Sequence, residues 1–351
     1  MRKLSIQTYL ENNRFITYSV AILFTIGAMM LGVSIGSVSI PLSEVAHLMI
    51  QSLLHLDMGL SVDETTTNIV MKIRLPRVVL AFFVGASLAI CGAAFQGLLK
   101  NPLADPYTLG VSSGASFGAV LVIFYGITIF GPFTLPIFAI FGGFLTIIAV
   151  IMFARIVQET LSMEMIILTG IIISSFLGSL LSLMVALSGE ELRQIIHWLL
   201  GSVSMRSWNY TLMILPFFII GSLILLFSAS ELNALSFGEE RAHHLGVNVQ
   251  TRKMLILLSA SVVTGAAVAV SGTIGFVGLV IPHMIRIVFG TDHRHLLPLS
   301  IFYGGSFLIL ADLVARTIVA PVELPIGVIT AIIGAPVFAL ILFRQRKERS
   351  V

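Results

Sequence analysis

Ten apolar stretches fill this chain, at roughly 17–36, 78–99, 108–130, 132–154, 165–188, 210–229, 254–272, 273–290, 297–319 and 325–343. A helix needs about 20 mostly apolar residues to cross a hydrocarbon core about 30 Å thick. In lipid its backbone polar groups must be satisfied within the segment, which leaves the helix as the natural solution here. Composition agrees: 57% of the residues are hydrophobic and 11% charged, against about 25% charged in soluble domains. The reading is an all-α polytopic membrane protein of about ten transmembrane helices. The longest polar stretches, roughly 37–76, 189–209 and 230–253, are too short for an independent fold, so residues 1–351 form one membrane domain. The lone Cys91 excludes an intrachain disulfide. Arg2, Lys3 and Arg14 precede a stretch of full spanning length, which does not read as a cleavable signal.

Charge sets the orientation. With the N-terminus in the cytoplasm, six basic residues fall outside: Lys72, Arg74, Arg77, Arg193, Arg206 and Arg316. The other fourteen of the 20 fall inside, as the positive-inside trend requires. Both termini are then cytoplasmic, which an even number of spans also demands. A weak inverted repeat accompanies this. Gly85–Gly92 and Gly265–Gly272 both read G-A-x-x-A-x-x-G, on spans expected to run in opposite directions. Gly110, Gly114 and Gly118 recur on one helix face, as close helix approach requires.

Several functions are disfavoured. No G-x-x-x-x-G-K-[ST] stretch is present to cradle ATP phosphates, so any ATP and Mg would be bound by a partner chain. His243-His244 and His293-x-His295 read as solvated loop histidines without the further ligands of a zinc site. No cofactor, metal or nucleic acid is implied. An ion-coupled carrier would need intramembrane acids. Only Asp312 qualifies, and Arg316 four residues on is spaced to pair with it locally. An intramembrane enzyme would need a nucleophile–base pair or a metal cluster, and neither is visible. Arg74-Leu75-Pro76-Arg77 outside suits either headgroup anchoring or docking of an acidic partner. The segment 230–252 alternates Leu232, Leu235, Ala242 and Leu245 with charge, and Gly238 and Gly246 punctuate it. It predicts two short helices at the membrane surface.

Four segments carry a resemblance. They are Arg74–Arg77 with the glycine-alanine run; Asn101–Asp105 with Leu109–Val111; Gly275–His283; and Glu323–Val328 with Gly334–Phe338. Together with the 230–252 loop they resemble the permeases of bacterial ABC importers for iron chelates and cobalamin, the FecCD type. The resemblance covers most of residues 70–345; residues 1–65 carry none of it. It implies a multi-pass subunit of the bacterial cell membrane, embedded in the lipid bilayer. It further implies a second permease subunit (a homodimer or close paralogue), two cytoplasmic ATPase subunits and an extracellular substrate-binding protein. By the same resemblance Arg74, Arg77 and Arg316 dock that binding protein. Leu235, Gly238, Glu239, Ala242, Leu245 and Gly246 belong to the ATPase coupling loop. Asn101, Leu103, Ser162, Met163 and Glu164 lie near a cytoplasmic gate, although Met163-Glu164 departs from the small polar residues expected there. The expected cargo is an iron–siderophore or related chelate, with cobalamin or haem as alternatives.

Overall fold

The apolar stretches become helices because nothing else satisfies their backbones in a water-free setting. The computed structural model describes residues 13–36, 38–54, 63–158 and 162–349; Arg2 and Lys3 of the charge count lie outside them. In chain order the helices are α1 (Arg14–Ser34), α2 (Leu42–Leu54), α3 (Leu75–Leu98), α4 (Val111–Tyr125), α5 (Thr134–Val157), α6 (Met163–Leu187), α7 (Leu192–Leu199), α8 (Trp208–Phe227), α9 (Ala229–Ser236), α10 (Glu239–His244), α11 (Val249–Ser271), α12 (Val277–Phe289), α13 (His293–Thr317) and α14 (Ile326–Arg349). A short helix, Glu64–Asn68, and a π-helical turn, Ile69–Arg74, run straight into α3. Among the described residues seven helices are long and apolar enough to cross a bilayer, and three further apolar helices are shorter. The ten expected spans are all present as helices, and α9 and α10 are the two short helices expected in the 230–252 loop.

Helices apolar all round belong inside a bundle. α3 is buried at 21 of its 24 positions and α11 at 16 of 23, and these are the helices that carry the repeated glycine-alanine segments. They pack on each other, and α3 also lies along α12 and α13. Glycine lets the backbones meet there. A Cβ on Gly92 would collide with the backbone of Gly278, and one on Gly85 with that of Gly304. Gly114 and Gly118 likewise face α5 at Gly142 and Phe138. α6, by contrast, buries only Ile166, Thr169 and Gly170 within the chain.

Two expected spans are shorter than predicted. The stretch 273–290 yields only the 13 residues of α12, about 20 Å of helix. Gly272 (φ +71°) and Phe276 (φ +69°) put left-handed backbone at both ends of the segment before it, and no helix can run through such residues. Stretch 108–130 loses its start in the same way. Gly110 (φ +81°) separates a short 3-10 turn, Pro106–Leu109, from α4. One side chain serves both interruptions. The Tyr107 hydroxyl donates to the Ile274 carbonyl (2.7 Å) and accepts from the Ile274 N–H (2.9 Å). Non-helical backbone enclosed in protein is thereby satisfied.

α1 and α13 run parallel in register. Tyr18 meets His295 (3.0 Å), Thr25 meets Ser306 (2.9 Å), and the Gly32 carbonyl accepts from Arg316. One end of the bundle therefore gathers 33–36, 38, 71–77, 202–208 and 312–323, the outer end of the charge-derived topology. The other gathers 96–100, 228–253 and 286–295, the inner end.

The glycine contacts yield the first prediction. Gly92→Val should lower the unfolding temperature of the detergent-purified protein, at a cost of about 1–3 kcal/mol for an overpacked contact. Gly27→Ala, where nothing lies within 4 Å of the added Cβ, should leave that temperature unchanged. Equal melting of the two variants would contradict the packing.

Candidate functional site: the outer arginine cluster and the inner coupling loop

At the outer end three arginines turn into the chain. Arg74 ends the π-helical turn, and its widened backbone sends the side chain back to α1. There its guanidinium donates to the carbonyls of Val33 and Ser34 (2.9 Å each) and to Val38. Arg77 lies one turn into α3. It grips Asp312 with Nε and Nη2 (2.9–3.1 Å) and reaches Glu323 with Nη1 (2.9 Å). Ser204 donates to the other oxygen of Glu323 at 2.7 Å. Arg316 lies with Nε 3.8 Å from Asp312. Asp312 is 1% exposed, and Arg74, Arg77 and Arg316 are under 10%.

The expected local pair of Asp312 with Arg316 is present at 3.8 Å, but it is not the closest contact of the carboxylate. The partner that holds it is Arg77, 235 residues away, through a two-pronged guanidinium–carboxylate contact. Arg316 also donates to the Gly32 carbonyl. The cluster thus joins α1, the start of α3, the end of α13, the 202–206 segment and the loop before α14. Burial works to raise the Glu323 carboxyl, but the hydrogen bonds from Arg77 and Ser204 outweigh it and hold the group below the usual carboxylate range. Lys72 is the exposed basic residue of the same stretch.

The inner loop is built from α9 and α10. α9 buries Ala229, Leu232 and Leu235; α10 buries Ala242. Gly238 (φ +118°) makes the turn between them and Gly246 (φ +83°) the turn out. Outward-facing apolar side chains are Phe237 and Leu245, 66% and 70% exposed. Two ion pairs clamp the loop to the start of α11: Arg252 with Glu231 (3.3 Å), and buried Lys253 with Glu239. Of the expected coupling residues, Leu235 and Ala242 are therefore internal supports, Glu239 is an anchor, and Leu245 is available to a partner.

A second inner node escaped the sequence reading. His293 is buried rather than solvated. Its backbone N–H (2.9 Å) and its Nδ1 (2.8 Å) both meet Oδ1 of Asn233 on α9, whose Nδ2 donates to Asp292 at 2.6 Å. An amide oxygen only accepts, so Nδ1 of His293 carries the proton. Asp292 also caps α13 through the Arg294 N–H (3.0 Å). Burial pushes the Asp292 carboxyl up, and the Arg294 N–H and Asn233 amide more than offset that. Nearby, buried Gln96 donates to the carbonyls of Gly278 and Leu279 (3.2 and 3.1 Å) and accepts from Arg286 (3.2 Å). Asp before the helical His-Arg-His is a readable cap signal; nothing local marks Asn233 or Gln96.

The expected gate residues fall on two elements. Asn101 and Leu103 are exposed on the α3–α4 loop, where the Asn101 side chain accepts from the Leu103 N–H (2.9 Å). Ser162 caps α6 through the Met165 N–H (3.3 Å), followed by half-buried Met163 and exposed Glu164.

Arg77→Ala strands a buried carboxylate, which costs about 3–5 kcal/mol when one partner of a buried pair is removed. Thermal unfolding in detergent should show that loss, and Arg77→Ala with Asp312→Asn should recover part of it. A double variant no better than Arg77→Ala would mean that Asp312 is not held by Arg77.

The chain is similar to known proteins. The sequence profile of the FecCD transport family matches residues 23–344. The chain is 54% identical to the ABC transporter permease protein YvrB of Bacillus subtilis, over 99% of each chain. It is 44% identical to the cobalamin import system permease protein BtuC of Halobacterium salinarum, over 83% of this chain and 77% of that one. A solved structure described as a metal-chelate type ABC transporter in an inward-facing conformation superposes with a TM-score of 0.80. It has 35% identity and covers 92% of this chain and 97% of that one.

Proposed function

The chain belongs to the FecCD transport family, a multi-pass permease of a bacterial ABC transporter, and from that premise we propose that it imports an iron–siderophore or related iron chelate. In this reading an extracellular binding protein delivers the chelate to the outer face. Two cytoplasmic ATPase subunits, which bind the ATP and Mg, engage α9 and α10. A second permease copy or close paralogue completes the pathway. This chain performs no covalent chemistry; it shifts between states that the ATP cycle favours in turn.

The observation that carries the reading is the inner loop. Two short helices present Phe237 and Leu245 outward while their other faces are fixed to α11 and α13. Such an element transmits a push without deforming. At the outer face the arginines shape the docking rim, and the exposed Lys72 and half-exposed Glu323 are what a binding protein meets first. Cobalamin or haem import would use the same architecture, and the cobalamin permease among the relatives keeps that cargo in view.

Reconstitution tests this. The chain alone should hydrolyse no ATP; with its ATPase subunit and binding protein in liposomes it should accumulate a ferric chelate only when ATP is supplied on the side of the ATPase subunit. Uptake by the chain alone under a proton or sodium gradient would overturn the proposal, and uptake of cobalamin but no ferric chelate would change the cargo.

The loop gives a separate expectation. Leu245→Asp and Phe237→Asp should each weaken capture of the ATPase subunit with no change in thermal unfolding. Leu235→Asp should instead lower folded yield, because a buried unpaired polar group costs about 1–3 kcal/mol. Unaltered capture by the Leu245 and Phe237 variants together would place the ATPase contact elsewhere.

A further inference from the structure

We propose that α13 is the rod that carries the state of the cytoplasmic loop to the outer arginine cluster, and that Asn233 is the positioning residue that engages it. The inference rests on the importer reading above and adds a route through the chain to it.

The geometry comes first. α13 has 25 residues, about 37 Å of helix, enough to join the two faces. Its inner end is held mainly by one side chain of the loop, with the Arg294 guanidinium also donating to Ser230 of α9 at 3.4 Å. Asn233 on α9 uses both ends of its amide on α13, with Oδ1 on the His293 N–H and Nδ1 and with Nδ2 on the Asp292 carboxylate. Any displacement of α9 must drag this end or break four hydrogen bonds, two of them involving a charged group. Its outer end holds Asp312 and Arg316, the centre of the outer cluster. α1 braces the rod along its length. Tyr18 holds His295 on one side of Pro298; Thr25, with Ser306 and the Phe302 carbonyl, holds the other side. The interior proline, which removes one helical hydrogen bond, is thus spanned by contacts to a second helix.

Other helices lack one of these ends. α11 is tied to the loop by Arg252 and Lys253, but its outer end stops at Gly272 without a charged anchor. α12 is only 13 residues long. α3 holds Arg77 outside, yet inside it meets the node only by packing: a Cβ on Gly97 would collide with the His293 ring. Coupling requires an element with two arrangements that both sites bias. Of α3, α11, α12 and α13, only α13 is gripped by polar side chains of the loop at one end and of the rim at the other; α8 is continuous with the loop and meets the outer stretch only through Trp208 on the Met71 carbonyl.

The polarity of the node supplies a test that swaps charge without removing contacts. Asn233→Asp sets a carboxylate against Asp292 at hydrogen-bond distance. Adding Asp292→Asn restores a donor–acceptor pair of the opposite sense, and asparagine still caps the helix. In a Cys91→Ala background, Val319→Cys on the exposed outer loop takes an environment-sensitive fluorophore. The complex with the ATPase subunit is reconstituted, and the probe is read before and after trapping with ATP and vanadate.

The parent complex should show a spectral shift on trapping. Asn233→Asp should lose the shift while still co-purifying with the ATPase subunit, and Asn233→Asp with Asp292→Asn should regain it. Gly97→Ala, which displaces His293 from a helix outside the loop, should lose it too. An undiminished shift in Asn233→Asp overturns the inference. So does a shift that fades only as ATPase co-purification fades, for the node would then merely hold the docking surface. Should the parent neither bind the ATPase subunit nor hydrolyse ATP with it, the importer reading itself fails, a result distinct from either of these.

Discussion

The close approach of α3 to α12 and α13 is the constraint on which the rest depends. Lipid offers no hydrophobic force between helices, so association rests on contact, and contact is closest where side chains vanish. Gly85 against Gly304 and Gly92 against Gly278 set the backbones nearly in touch. That approach fixes how α13 lies beside α3, and so brings Asp312 within reach of Arg77 at one end and His293 against Gly97 at the other. Bulkier residues at the crossings would part both polar nodes at once. The ionic clusters are consequences of the glycine packing more than causes of it.

Their placement follows from the same solvent. Charges are costly in the hydrocarbon interior and cheaper toward its edges. Here they gather at the two ends, leaving the middle of α3 and α11 to Gly, Ala, Ser and small apolar residues. Among the described residues, the middle of α3 and of α11 carries no charged side chain. An external energy source delivered at the inner face fits such a bundle. There the loop is bolted to α11 by a lysine and an arginine and to α13 by an asparagine, side chains long or forked enough to reach across a gap between helices.

Much of this was legible beforehand, for reasons of scale. Span number and the loop helices depend on composition over windows of about 20 residues, which no single residue can reverse. Span ends depend on single residues. Gly272 and Phe276, both left-handed, took several residues from the eighth expected span, α12, and sequence periodicity has no term for that. Pairings depend on still less. The i,i+4 spacing of Asp312 and Arg316 was visible and drew the local reading, but Arg77, 235 positions earlier, holds the better geometry. His293 looked solvated because its neighbours are polar, and Asn233, which buries it, is 60 residues away. Long-range partners of a polar residue are not written near it in the chain.

The outer arginines show how one residue serves two readings. Their spacing outside the membrane against the positive-inside trend suggests attraction to an acidic partner, yet each guanidinium is already committed within the chain. A guanidinium held two-pronged by a buried carboxylate does not exchange it for one on a partner protein unless the new contact is at least as dry and as well aligned. The half-exposed Glu323 is different: it is shared between Arg77 and Ser204 and borders solvent. An arriving carboxylate could displace it from Arg77 at far smaller cost than it could displace Asp312. In the proposed importer, docking would then act by releasing Glu323 and the loop before α14, while the Arg77–Asp312 contact stays closed and keeps α3 and α13 moving as one body.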